Sequence, residues 1–290
     1  MIIANPIYDT VFKRMMENER VAKFFIGTLL EQQIETIEVK PQEFTYTDEL
    51  AGLAVFRLDF IATVQTETGE FKKILIEIQK AKNYIDLMRF RNYLGEQYKK
   101  EDTIKNRKTV LPITTIYILG FTLPEIETAC LKVERNYKDL VNKRILTKKS
   151  DFVESLTHDS FIVQVDRITG DYQTRLDKLL SVFEQNNFAD DKRITKEFSH
   201  PTDTEDLKIL TDILHHSGTN LEERKHIETE QEAWRTVNAA FADKEKELMQ
   251  KIDEKDKVID EKDKALDEKD KMIIEMAQQL EELQRKLQEK

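Results

Sequence analysis

Residues 54–80 read AVFRLDFIATVQTETGEFKKILIEIQK. In the first half the even positions, Phe56, Leu58, Phe60, Ala62 and Val64, are all apolar, while the odd positions include Arg57 and Asp59. In the second half Ile74, Ile76 and Ile78 alternate with Leu75, Glu77 and Gln79. This period-two alternation marks two strands, each with one core face and one face that carries polar groups. The only turn signal between them is Thr66–Gly69, and Gly69 suits the positive-φ position of a short hairpin loop. A loop centred on Thr68 pairs residues whose numbers sum to 136, which sets Asp59 opposite Glu77 and Arg57 opposite Gln79. Directly opposed residues hold their Cβ atoms about 4.5–5.5 Å apart. Two carboxylates at that spacing repel. A hard divalent cation with oxygen ligands is the natural group to sit between them, and the amide oxygen of Gln79 can serve the same cluster. An ordinary exposed acidic pair, with Arg57 beside it, is the competing reading of the same residues.

The flanking segments build a mixed α/β core around this hairpin. Residues 6–30 read as two short helices. Pro6 fits a first-turn position, and Asn18 is an N-cap whose helix turns Val21, Phe24, Phe25, Thr28 and Leu29 inward. Ile37–Tyr46 is a strand ahead of the hairpin, and a helix runs from about Asn83 to Lys100. The β-branched run Ile113–Leu119 predicts a buried strand, and Ser160–Ile168 another. Helical patterns return over Tyr172–Asn186 and Asp203–His216.

The chain of 290 residues is 35% charged, against roughly 25% for ordinary globular chains. Much of the excess lies in residues 241–290, which hold 16 of the 56 acidic and 12 of the 46 basic residues. Ile252, Ile259, Leu266, Ile273, Leu280 and Leu287 recur there every seven residues. With these at heptad position a, position d is Lys255, Lys262, Lys269, Met276 and Leu283. The seam is one residue wide at first and a full a/d seam later, so residues 252–287 read as a coiled coil and the chain as a homo-oligomer. A solitary charged helix held by i,i+4 pairs is the alternative. The expected organisation is a domain over 1–220 and a long charged helix over 221–290.

Several classes fall away. No apolar run of about 18 residues occurs, so no membrane span is expected. The opening MIIANPIYDTVFKRMM lacks the pattern of a secretory signal, which points to a cytoplasmic protein. One cysteine, Cys130, builds neither an internal disulfide nor a Cys-rich zinc site. The net charge of −10 argues mildly against a passive nucleic-acid coat. One stretch runs the other way: Leu131–Lys149 is locally basic, and Lys138, Lys143, Arg144 and Lys148 are candidate contacts to a DNA backbone, with a merely solvated surface as the alternative. Trp234 reads as a packing anchor.

Five segments in order, YDTVFKRMM (8–16), NERVAKFFIGTLL (18–30), FRLDF (56–60), ILIEIQ (74–79) and MRFRNYLGEQY (88–98), resemble the PD-(D/E)XK nucleases in their E-x-Q form. The resemblance is to the recombination-promoting nuclease and transposase branch. It covers roughly residues 5–120, is weaker to about 215, and leaves out the tail. It implies a restriction-endonuclease-like mixed sheet flanked by helices, and metal-dependent endonuclease cleavage of DNA phosphodiester bonds with Mg²⁺, or Mn²⁺ or Ca²⁺. Asp59 and Glu77 then match the metal-binding carboxylates. Gln79 stands where many members have a lysine. Lys80 is adjacent, but alternation points it to the opposite face. Asp9 and Lys13 match the opening signature and are expected to approach the site from the first helix. Arg89, Arg91 and Tyr93 match the helix after the motif, where they meet phosphate or brace the sheet. The rival function is a nuclease fold without cleavage, serving as a DNA-binding or coiled-coil assembly module.

Overall fold

The computed structural model describes residues 1–48, 53–80, 84–170 and 172–288. β1 (Ile2–Ala4) leads into α1 (Asp9–Met16) and α2 (Glu19–Leu30). The long β2 (Ile34–Asp48), β3 (Leu53–Thr66) and β4 (Phe71–Gln79) follow, then α3 (Tyr84–Lys99). After β5 (Asp102–Ile104) and β6 (Arg107–Thr109) come β7 (Ile113–Leu119) and β8 (Cys130–Val133). A small hairpin, β9 (Tyr137–Lys138) and β10 (Ile145–Leu146), precedes α4 (Asp151–Leu156) and β11 (His158–Gln164). The chain closes with α5 (Arg175–Ser181), β12 (Thr195–Glu197), α6 (Glu205–Thr219) and α7 (Leu221–Gln288). One compact unit ends at Arg235 and a second begins at Thr236, so the opening of α7 belongs to the first unit. Among the described residues no helix is long and apolar enough to cross a membrane.

A six-stranded mixed sheet in the order β2-β3-β4-β7-β11-β8 organises the first unit. β2, β3 and β4 are antiparallel neighbours. β4 pairs β7 in parallel, β7 pairs β11 in parallel, and β8 returns antiparallel at the edge. A parallel step needs a crossover, and α3 lies in the connection from β4 to β7. Helices therefore cover both faces. Phe60, Ala62, Val64, Ile74, Ile76 and Ile78 pack on one side with α1 and α2, where the Phe12 ring stands 5.0 Å from Phe60 and 5.4 Å from Phe25. On the other side Leu75 and Ile113 meet Phe90 and Tyr93 of α3.

Local chemistry sets the element ends. The Asn18 side chain accepts the Val21 N–H at 3.1 Å and caps α2. Asn18→Ala is expected to cost about 1 kcal/mol in urea unfolding, the usual worth of such a cap. α1 starts at Asp9 rather than near Pro6, because Asn5 Oδ1 takes the Ile7 N–H and folds the preceding residues into a turn. The expected Tyr172–Asn186 helix is much shorter. Tyr172 sits at φ 50, a left-handed conformation that interrupts a helix, and the Thr174–Asp177 capping box starts α5 afresh. At the other end the Lys196 ammonium donates to the carbonyls of Ser181 and Glu184 and so finishes α5. The strand expected over Ser160–Ile168 stops at Gln164, where a turn of 3₁₀ helix takes over. The Gln164 side chain is held there by Leu123 N–H and the carbonyls of Ile126 and Thr128.

Lys196 is 2% exposed. Burial pulls its ammonium down to about 8 from 10.5, against the opposing pull of Glu184. The unfolded chain then holds more protons than the folded one between those two values, so this residue makes stability rise with pH across that window. Lys196→Met is expected to flatten that rise, read as the urea midpoint of wild type and variant at pH 8 and pH 10.5.

Candidate active site

The hairpin forms in the register that its turn dictates. Gly69 takes φ 84, and the described pairs run from Gln65↔Phe71 to Phe60↔Ile76. Asp59 occupies the next position of β3, paired on its other side with Gln42 of β2. The described β3–β4 pairs end at Phe60↔Ile76, so the Asp59 and Glu77 positions each lie one residue beyond the last pair. The side chains of Asp59, Arg57 and Arg89 lie outside the described residues.

Glu77 is 1% exposed and Gln79 8%. This corrects one expectation: Glu77 is no member of an exposed acidic pair. Its strand face is covered, because α3 crosses over it and alternation puts Glu77 and Gln79 on the side of Leu75. The face is polar for a buried layer. Lys73 ion-pairs Asp102 at 2.7 Å, Thr115 donates to the Ser160 hydroxyl at 2.8 Å, and the Tyr98 hydroxyl meets His158 Nδ1 at 2.8 Å. Glu77 pairs in register with Tyr117 on β7. The Tyr117 phenol is pushed up to about 12, first by burial and further by the Glu77 charge, against a hydrogen bond with Thr115. His158 is shifted downward, by burial first and then by Arg135. Tyr93 is buried beside Phe90 on α3, which gives it a packing contact, whereas Arg91 is exposed.

The end of β4 is fixed by its neighbour. The Gly120 N–H donates to the Gln79 carbonyl at 2.9 Å. A Cβ on Gly120 would come within 3.2 Å of the Lys80 backbone, so only glycine allows this approach without a shift. Lys80 itself turns to the face opposite Glu77, as alternation predicts. Its ammonium ion-pairs Glu230 of α7 and stands 4.5 Å from the Tyr8 ring and 5.0 Å from the Trp234 ring. Glu230 also accepts the N–H groups of Asp9 (2.8 Å) and Thr10 (3.1 Å) and the Thr10 hydroxyl (3.1 Å), so it caps α1 from the far end of the unit. Burial opposes the charge on Glu230, but Lys80 and the α1 N–H groups outweigh it and hold the carboxyl below its usual range. Trp234 is the packing anchor that its sequence suggested, at 5% exposure.

Asp9 is buried at the first turn of α1, and Lys13 is half-buried one turn later. The buried face of α1 packs with the even-numbered residues of β4, across the sheet from the face of Glu77. The route from Asp9 to the motif strand that the structure describes runs through Glu230 to Lys80.

The basic segment lies elsewhere. β8 pairs Val133 with Ser160, so it leaves the sheet at the end where β7 and β11 begin. Measured along the strands from the level of Leu75 to that of Gln79, that exit is about 13 Å short of the motif end. Lys138, Lys143, Arg144 and Lys148 are exposed beyond it. Arg144 has Asp139 at 3.6 Å, and Arg135 is held by Glu154 and Asp159, both at 2.9 Å.

A magnesium-type cation wants hard oxygen donors. Glu77 and Gln79 offer two on one strand face, and the Asp59 position is the neighbouring one on β3. Among the described residues no group of three His, Cys, Asp or Glu side chains is close enough to hold a metal ion, and Asp59 is not among them. The residue types are ones that such an ion accepts, with solvent in the remaining positions. The comparisons with protein-family models, with characterised proteins and with solved structures find no match for this chain.

Proposed function

We propose that the first unit is a metal-dependent DNA endonuclease of the PD-(D/E)XK kind, close in type to the recombination-promoting nucleases. The observation that supports it is the β3–β4 register. Its described pairs end at Phe60↔Ile76, one residue short of Asp59 on β3 and of Glu77 on β4, and Glu77 is 1% exposed. An acidic residue on each of two neighbouring strands, close to the end of their shared ladder, is the residue pattern a hard divalent cation takes.

In this reading Asp59 and Glu77 hold Mg²⁺, or Mn²⁺ in its place. The ion, when bound, polarises a phosphoryl oxygen and lowers the pKa of its water. Gln79 orients that water through its amide, without the positive charge that a lysine would bring. Tyr117, kept protonated by burial and by Glu77, remains a neutral neighbour of the site. Lys138, Lys143, Arg144 and Lys148 contact the sugar–phosphate backbone away from the cleaved bond and read no base sequence.

A second reading, a nuclease fold that binds DNA or assembles without cutting, draws on one observation. Gln79 supplies no cation, and the lysine that follows it, Lys80, is held by Glu230 on the other face. Incubating the full-length protein with supercoiled plasmid and Mg²⁺ or Mn²⁺ decides between them. Open-circular or linear product that disappears with EDTA supports the enzyme. Intact plasmid under every metal supports the second reading.

A further inference from the structure

We infer that the exposed stripe of α7 docks on the same stripe of a second copy of this chain, with the two helices parallel and in register. From Ile252 to Leu280 the apolar residues of α7 are open to solvent: Ile252 is 51% exposed, Ile259 53%, Leu266 58%, Ile273 62% and Leu280 59%. These are the heptad a positions. A row of solvent-exposed Ile and Leu on a long helix is a docking surface without its partner.

The residues beside the stripe choose the orientation. Val258, Ala265 and Met272 precede Ile259, Leu266 and Ile273 and occupy g, while Asp256, Asp263 and Asp270 follow the three d lysines and occupy e. In a coiled coil every a or d knob enters a hole made by four residues of the facing helix. In a parallel pair an a knob enters a hole that includes the partner's g residue, and a d knob enters one that includes the partner's e residue. Ile259 then meets apolar Val258 of the partner subunit, and Lys262 meets acidic Asp263 of the partner subunit. The same match repeats one heptad earlier with Lys255 and one later with Lys269. Each d layer closes as two lysines with two aspartates, which offsets the repulsion of like charges facing each other. Antiparallel packing exchanges the holes. The d lysines would then face apolar g residues, and the a residues of those heptads would face acidic e residues. That mismatch is repeated in three heptads.

Under the endonuclease reading, on which this consequence rests, such a pair holds two sites in one molecule. The orientation itself is tested without activity. Full-length chains carrying Cys130→Ser are made with Ile259→Cys or Leu280→Cys and oxidised, and covalent dimer is read on a non-reducing gel. Both single variants are expected to cross-link to themselves, because identical a residues face each other only in a parallel, in-register pair. The parent with Cys130→Ser alone should stay uncross-linked. Dimer from one variant only, or from a mixture of the two but from neither alone, shows antiparallel packing and overturns the inference. No dimer from either shows a solitary helix and does the same. A further arm reads the charge match. Asp263→Lys should weaken self-association in sedimentation, and adding Lys262→Glu should restore it. Failure of plasmid cleavage alongside successful cross-linking would count against the nuclease reading alone.

Discussion

Glu77→Gln is expected to lower Mg²⁺-dependent plasmid nicking by at least about a hundredfold, with the fold intact. A metal ion contributes several kcal/mol of charge stabilisation to phosphoryl chemistry, and each 1.36 kcal/mol is about tenfold in rate. Removing one of two carboxylate ligands forfeits a large part of that. The amide is isosteric with the acid and adds no volume to a position that is 1% exposed. The urea midpoint, read beside nicking, checks that the fold is kept. Loss of nicking at equal or greater stability separates a role in chemistry from a role in packing. Asp59→Asn should behave the same way, because in the proposed site the two carboxylates share one ion. Tyr117 supplies an independent readout: with the Glu77 charge gone, one cause of its upward shift disappears, and its titration should move down from about 12. Nicking that survives both substitutions, or that ignores EDTA, would falsify the metal mechanism.

The hairpin was legible because its signals are local. Alternation assigns faces, Gly69 supplies the positive φ, and these fix a register that the pairs from Gln65 to Phe60 follow. Ile113–Leu119 and the Asn18 cap are legible for the same reason: a β-branched apolar run and a side chain three residues from the N–H it takes. What failed to show in the sequence depends on contacts between distant segments. The pattern over Tyr172–Asn186 is helical, but the carbonyls that end α5 go to Lys196, which no periodicity links to them. The basic run of 131–149 is visible as composition. Its place near the far end of the sheet follows from the antiparallel return of β8, which the sequence does not reveal. At the site itself the residue types of Glu77 and Gln79 could be read. Their burial could not, because it depends on α3 crossing over the polar face.

Breaking the Lys80–Glu230 pair by Glu230→Ala is expected to cost about 3–5 kcal/mol in urea unfolding, the usual penalty for leaving one buried charge without its partner. The side chains are 9% and 14% exposed, so water cannot easily replace what is lost. The same change strips the acceptor from the Asp9 and Thr10 N–H groups and uncaps α1, which adds about 1 kcal/mol. Lys80→Met leaves the carboxylate with its α1 donors and should cost less. The double variant Lys80→Met with Glu230→Leu should recover much of the loss, because a well-packed apolar pair often equals a buried ion pair. The pH dependence has a definite sign. The Glu230 carboxyl lies below its ordinary 4.5 in the folded chain, so its contribution is present above that value and is lost as pH falls through the folded pKa. The gap between wild type and Glu230→Ala should therefore close in acid. A gap that persists there would mean that Glu230 acts by packing alone. The contact joins the opening of α7 to the residue after Gln79, on a lysine pinned between Tyr8 and Trp234. Loosening it should free the end of the motif strand. Hydrogen exchange at Lys80 and Gly120 should then quicken in Glu230→Ala, while exchange at Phe60 and Ile76, held by the β3–β4 ladder, should follow global stability alone.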